Sequence, residues 1–262
     1  MIATLVAHSL RRRRGFLATT VVVMCGFQFF VILAARSIFR SGGFQQLQTM
    51  MPSSLAKMMT ASFQGLVLFG YSHPLVELFL MAVAISIGTE LAAEIESKFV
   101  DLLMARPLRR TVVVGRSLAV LLVATLLAVG SMMTGTALGL HFLAPEGTEL
   151  PPARVVVSLA ANLTLLVLAW GGIALMFASF ARRRATAAAV CGFLAFSMFV
   201  LDWVGRLWET VRPLSRLSPF HYFSPFAMIG GQPLERADVA ALAGIFIATS
   251  AVAAMIYARR DL

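Results

Sequence analysis

The chain has 262 residues, of which 59% are hydrophobic and only 13% charged, so it falls well below the roughly 25% charge of a soluble domain. Most of it must be solvated by lipid. The net charge of +10 would suggest nucleic acid in a soluble protein. Here the arginines fall in short blocks between apolar runs, which is the pattern of topology signals and argues against a nucleic-acid partner.

The arginine block 11–14 is followed by an apolar run at 16–35. That arrangement resembles a signal peptide, but the run is about as long as a bilayer requires and no small-x-small cleavage site stands out. It is read as a retained first span. Residues 36–74 then form a loop in which Phe44, Leu47, Met51, Leu55, Met58, Met59 and Phe63 repeat at helical spacing, predicting amphipathic helices at the membrane surface. Thioethers favour Cu(I), but that same spacing explains the methionines as an apolar face, so no metal site is expected.

Further spans are predicted at 75–93, 112–143, 155–180, 185–201 and 239–258. The third is overlong and must tilt or extend beyond the lipid. Gly135 and Gly139 within it form a small-xxx-small pattern, a candidate close-packing face. Cys25 and Cys191 lie inside spans without metal-ligand spacing and read as small buried hydrophobes. The stretch 202–238 carries Trp203, Trp208, Phe220, Tyr222, Phe223 and Phe226, interrupted by Pro213, Pro219, Pro225 and Pro233. Aromatics of this density suit an interfacial or re-entrant region before the last span. The expected fold is an all-α polytopic membrane protein of six transmembrane helices, with residues 1–262 forming one domain.

Between the second and third spans lies a charged island, 88–116. Ile95, Phe99, Leu102 and Leu103 fall on one helical face, and Glu94, Lys98 and Asp101 on another. Glu94 and Lys98 have the favourable acid-first i, i+4 order. Pro107 disfavours helix at Arg106 and ends the element. A short amphipathic helix between two spans lies flat on the membrane and offers a solvated face to a partner. With a cytoplasmic N-terminus, the inner segments hold 14 Lys and Arg residues and the outer ones 8, so both termini and the island are assigned to the cytoplasm.

Chemistry of its own is hard to find in this chain. It has no phosphate-cradling GxxxxGK[ST], no HExxH and no GxSxG. Glu77, four residues after His73, could face a substrate pathway, although an interfacial carboxylate reaching water is the favoured reading. Glu90 has two balanced readings, a pair with Arg109, Arg110 or Arg116, or a solvated helix end. An intramembrane enzyme would need a pair such as His73 with Glu77, or His221 with Tyr222, and neither has a third orienting group. A non-transporting membrane anchor is the other alternative.

The island resembles the cytoplasmic hinge of type-2 exporter permeases of the ATP-binding-cassette superfamily. The resemblance is carried by Glu94 and Glu96, by Asp101-Leu102-Leu103, by Ala105-Arg106-Pro107-Leu108-Arg109-Arg110 and by Gly115-Arg116. LSPFHYFSPFAMIGG (217–231) and the ending YARRDL (257–262) match as well. Where that family usually has Gly-Thr, this chain has Lys98-Phe99, which favours a continuous helix. The resemblance implies a subunit that catalyses nothing itself, in a bacterial cytoplasmic (inner) membrane. It forms a pathway with a second permease subunit, as a homodimer or heterodimer, and docks on a separate ATPase that binds ATP and Mg. The coupling helix would be 94–105, with Glu94, Glu96, Lys98, Phe99, Asp101, Leu102, Leu103, Arg106 and Pro107 meeting the ATPase. Arg109, Arg110 and Arg116 would anchor the return at the lipid surface, at about 1 kcal/mol each.

Overall fold

Six long apolar helices dominate the computed structural model, which describes residues 2–41, 62–97 and 110–259. No strand occurs among the described residues. A short helix α1 (Ile2–Arg12) leads into the first span, α2 (Arg14–Arg40). The second span is built from α3 (Phe63–Phe69), α4 (Pro74–Gly88) and α5 (Glu90–Glu96). The remaining spans are α6 (Arg110–Leu143), α7 (Ala153–Phe180), α8 (Arg184–Leu207) and, after two short helices, α11 (Arg236–Arg259). Those short helices are α9 (Arg212–Ser215) and α10 (Pro225–Ile229).

Most span limits are wider than hydropathy indicates, and two differences have clear causes. The second span begins at Phe63 instead of 75. Phe63, Val67 and Leu68 are buried, and Phe63 and Val67 pack against Ile32 and Ala35 of α2, so this segment belongs to the bundle and not to a surface loop. Pro74 does not end it. It starts α4 at the first helical position, where its missing N–H costs nothing, and His73 Nδ1 caps the helix by accepting from Leu75 N at 3.2 Å. The fifth span runs on to Leu207 instead of stopping at 201. Asp202 is tolerated there, 2% exposed, because Arg206 one turn later donates to it from Nε at 2.8 Å. The third span, at 34 residues, is continuous and extends about 51 Å, well beyond the roughly 30 Å hydrocarbon core.

Two interhelix contacts organise the bundle: α2 lies along α6, and α7 lies along α11. Both are close because glycine lines them. A Cβ at Gly135 would collide with the backbone carbonyl of Cys25, and one at Gly139 with the side chain of Ile32. At Gly172 it would meet Thr249 Oγ1 at 2.5 Å and Phe246 at 3.1 Å. Without a hydrophobic driving force between helices in lipid, such close approach is the main source of attraction.

The stretch after α8 turns back into the bundle. Its 3-10 turn Pro219–Tyr222 drives Phe220 inward, 1% exposed, against Trp170 at 5.6 Å and Phe199 at 5.5 Å between ring centroids. Ser218 fixes the turn by donating to Met198 O at 2.9 Å and accepting from Phe220 N at 3.2 Å. The aromatics expected at an interface therefore divide. Phe220 and Phe223 enter the core, while Trp208 stays 66% exposed.

Substituting Gly135→Ala should lower the thermal midpoint of the purified protein, because a backbone carbonyl cannot rotate away and overpacking costs about 1–3 kcal/mol. Gly130→Ala, one and a half turns earlier with nothing within 4 Å of its Cβ, should be neutral or slightly stabilising. Equal melting of the two variants would count against a glycine-mediated contact.

Candidate coupling site at the arginine-rich end

The end of α4 is where the charged island begins. A helix leaves its last four carbonyls without intrahelical partners, and its C-terminus favours cations. Ser86 O accepts from Arg13 Nη1 and Nη2, both at 3.4 Å, and from Arg184 Nη2 at 3.1 Å. Arg184 Nη2 also reaches Ser86 Oγ at 3.3 Å. These arginines stand at the starts of the first and fifth spans. The helix end itself is held tightly on the fourth span, since a Cβ at Gly88 would lie 2.7 Å from Ala174 Cβ and 2.8 Å from Gly171 O.

Thr89 divides α4 from α5, and two acidic residues on α5 then face inward. Glu90 forms an ion pair with Arg13. Glu94 forms one with Arg116 of the third span, and both residues are buried, at 5% and 4% exposure. Glu96 is exposed and accepts from the backbone N–H of Arg184 at 3.0 Å. Burial, with Arg184 and Arg12 close by, pulls the Arg13 guanidinium down from its ordinary range to about 10, and Glu94 opposes that shift. The acidic residues therefore offset a crowd of like charge.

Glu90 pairs with Arg13, which neither of the readings made from its spacing names, and Arg116, one of the partners considered there, pairs with Glu94 instead. Glu94 does not occupy the solvated face; it turns in to Arg116. Arg116 consequently lies inside the bundle instead of reaching the lipid surface. The reason is tertiary: α5 packs Leu91 and Ala92 against Val113 and Val114 of α6, which sets the Glu94 face beside Arg116. Arg110 opens α6. Lys98, Phe99, Asp101, Leu102, Leu103, Arg106, Pro107 and Arg109 lie outside the described residues. Arg13, Ser86 and Arg184 are site residues that spacing does not single out; Arg13 lies in the block 11–14 and Arg184 in a further arginine block at 182–184, and such blocks read as orientation signals.

The N-terminal helix belongs to the same assembly. Val6 and Leu10 of α1 pack on Leu17, Val83, Ile87 and Val120, which joins α1 to the first three spans. A small cavity of about 30 Å³ remains among Arg13, Glu90, Glu94, Arg116 and Ser117, room for about one water.

The histidines do not assemble an active site. His73 is used as a helix cap, its ring flanked by Phe27 at 5.4 Å and Phe69 at 5.6 Å. Glu77 is 4% exposed, so it is not an interfacial carboxylate reaching water, and its side chain makes no hydrogen bond or ion pair among the described residues. Arg206 and Asp202 are the charges that act on it electrostatically. His221 lies near a serine and an aspartate, yet Ser215 Oγ at 3.1 Å and Asp202 Oδ1 at 3.8 Å both approach the same nitrogen, Nδ1. A proton relay needs them on opposite ring nitrogens. Tyr222 donates instead to Arg216 O at 3.0 Å.

Truncating Arg116→Ala should leave Glu94 buried and uncompensated, costing about 3–5 kcal/mol. Thermal unfolding followed by tryptophan fluorescence should show a large drop, which the double variant Glu94→Gln/Arg116→Met should largely restore. A single variant that melts like the wild type would mean that the pair is solvated in the membrane.

No curated protein matches the chain. A family model described as "ABC-2 family transporter protein" matches residues 6–262, which covers the arginine-rich end, all six spans and the re-entrant stretch. The chain therefore belongs to the ABC-2 family of transporter membrane proteins, and it is a membrane-spanning permease subunit.

Proposed function

We propose that the segment 94–105 receives the stroke of a partner ATPase and that the ion-paired end of the bundle passes it to the spans. Members of this family do not hydrolyse ATP themselves, and the ATP site lies on a separate ATPase subunit. The observation that carries the proposal is the set of bonds from 86–96 to three other spans. Arg13 ties the start of this segment to the first span, Arg116 to the third and Arg184 to the fifth. A displacement at the end of α5 would reach those spans through charged contacts in a low-dielectric setting, not through a slack loop.

In this reading Glu96, Lys98, Phe99, Asp101, Leu102, Leu103, Arg106 and Pro107 meet the ATPase, which binds ATP with Mg²⁺. Arg109 and Arg110 reach the anionic headgroups beside it. Glu94 and Arg116 transmit within the chain and do not touch the partner. The arginine-rich end, with both termini, faces the cytoplasm of a bacterial inner membrane, as the excess of basic residues there supports. Two permease subunits line an export pathway.

The test is capture of ATPase activity. The tagged full chain, isolated from its native membrane in mild detergent, should bring down a vanadate-sensitive ATPase. Asp101→Lys should reduce the recovered activity by roughly tenfold or more, as expected for reversing a charge at a docking interface, with unchanged amounts of permease in the membrane. Undiminished capture by Asp101→Lys together with Arg106→Glu would rule this segment out as the docking element.

A further inference from the structure

At the opposite end of the bundle, α8 and the stretch that follows it enclose a cleft of about 450 Å³. That volume lies within the roughly 300–1,000 Å³ of small-ligand sites. Its floor is already satisfied. Arg206 is bonded to Asp202 and donates to Phe223 O at 3.3 Å, and its guanidinium lies over the Phe226 ring at 5.5 Å. Two other lining charges are not. Glu209 and Arg212 are exposed, three residues apart, and their side chains have no hydrogen bond or ion pair among the described residues, either with each other or with the floor. Among the described residues, the cleft thus presents one unpaired anion and one unpaired cation beside the Asp202–Arg206 pair and the half-buried His221 ring.

The rim has a different chemistry. Leu207, Trp208, Leu214 and Leu217 are 62%, 66%, 55% and 72% exposed, in the same turns that carry Glu209 and Arg212. Of these only Leu207 lines the cleft itself, and the other three lie beside it along the chain. Exposed apolar side chains next to a polar cleft at the end of transmembrane helices match the boundary between acyl chains and headgroups, where tryptophan is enriched.

We propose that this cleft binds the zwitterionic phospho-amine headgroup of a membrane lipid. Arg212 takes the phosphate, Glu209 takes the ammonium, and the leucine and tryptophan rim holds the first methylenes of the acyl chains. A purely anionic headgroup would leave Glu209 facing a like charge. The inference is independent of the coupling role of the other end, because it requires only that the chain spans a membrane.

Native mass spectrometry of the full chain, released from nanodiscs of phosphatidylethanolamine and phosphatidylglycerol in equal amounts, provides the test. The wild type should retain phosphatidylethanolamine over phosphatidylglycerol by about fivefold, the order expected for one charge at the headgroup layer. Glu209→Gln should abolish that preference, and Arg212→Gln should reduce retention of both lipids. Both residues are exposed, and unchanged elution volumes would verify the fold. Millimolar O-phosphoethanolamine in water should leave lipid retention unchanged, since it lacks the chains that the rim holds. Retention unaffected by either variant, a wild-type preference for phosphatidylglycerol, or displacement by the soluble headgroup would each overturn the assignment.

Discussion

Glu94 and Arg116 are held together because neither can remain charged alone inside a bundle surrounded by lipid. Two charges taken out of water cost several kcal/mol each, and only close pairing returns that cost. This condition fixes more than two side chains. It sets the rotation of α5 about its axis, since Glu94 must point at the third span. The opposite face of α5 is then directed outward, and Glu96 at its end becomes the exposed acid. Glu90, one turn earlier, is presented to Arg13. The ion pairs and the close helix contact at Gly88 act on the same few residues, so the start of the hinge is tightly constrained.

The two ends of the bundle handle charge differently. At the arginine-rich end, cations from the first, third and fifth spans converge on one helix terminus and its acids. At the other end the main ion pair, Asp202 with Arg206, lies within a single helix and serves a re-entrant stretch held mainly by aromatic packing. Long-range ion pairs link separate spans, whereas a local pair with buried rings fixes shape. This asymmetry agrees with a subunit driven from one end.

Much of the architecture could be read from residues alone. Six apolar windows of bilayer length predict six spans because lipid leaves few alternatives for a backbone that must satisfy its own hydrogen bonds. Gly135 and Gly139 were legible as a packing face for the same reason. Residues 63–73 do not read as part of the second span, and only the partner helix α2 reveals that the turns before Pro74 are buried. Asp202 lies just past the predicted end of the fifth span, and a charge within a span is expensive unless it has a partner, here Arg206 one turn on. The site was less legible. Spacing shows that Glu90 and Glu94 share a helix, but which of them meets Arg116 depends on how α5 rolls against α6, a long-range packing outcome. Arg13 and Arg184 carried a topology signal so plain that their second role, as partners of a helix terminus, was obscured.

The glycine contacts also bear on how the chain is assembled during synthesis. The first span finds its closest companion in the third, and the fourth in the sixth, so each waits while an intervening helix is made. Cys25 precedes Gly135 by roughly 110 residues, a delay of about 5–20 s at ordinary rates of elongation. During that interval the second span is the only neighbour available to the first, and α3 already offers a docking face through Phe63 and Val67 against Ile32 and Ala35. Gln28 strengthens this provisional pair by donating from Nε2 to Val67 O at 3.0 Å. The arrival of Gly135 then converts a helical hairpin into a three-helix unit, and the chain has an intrinsic order of insertion.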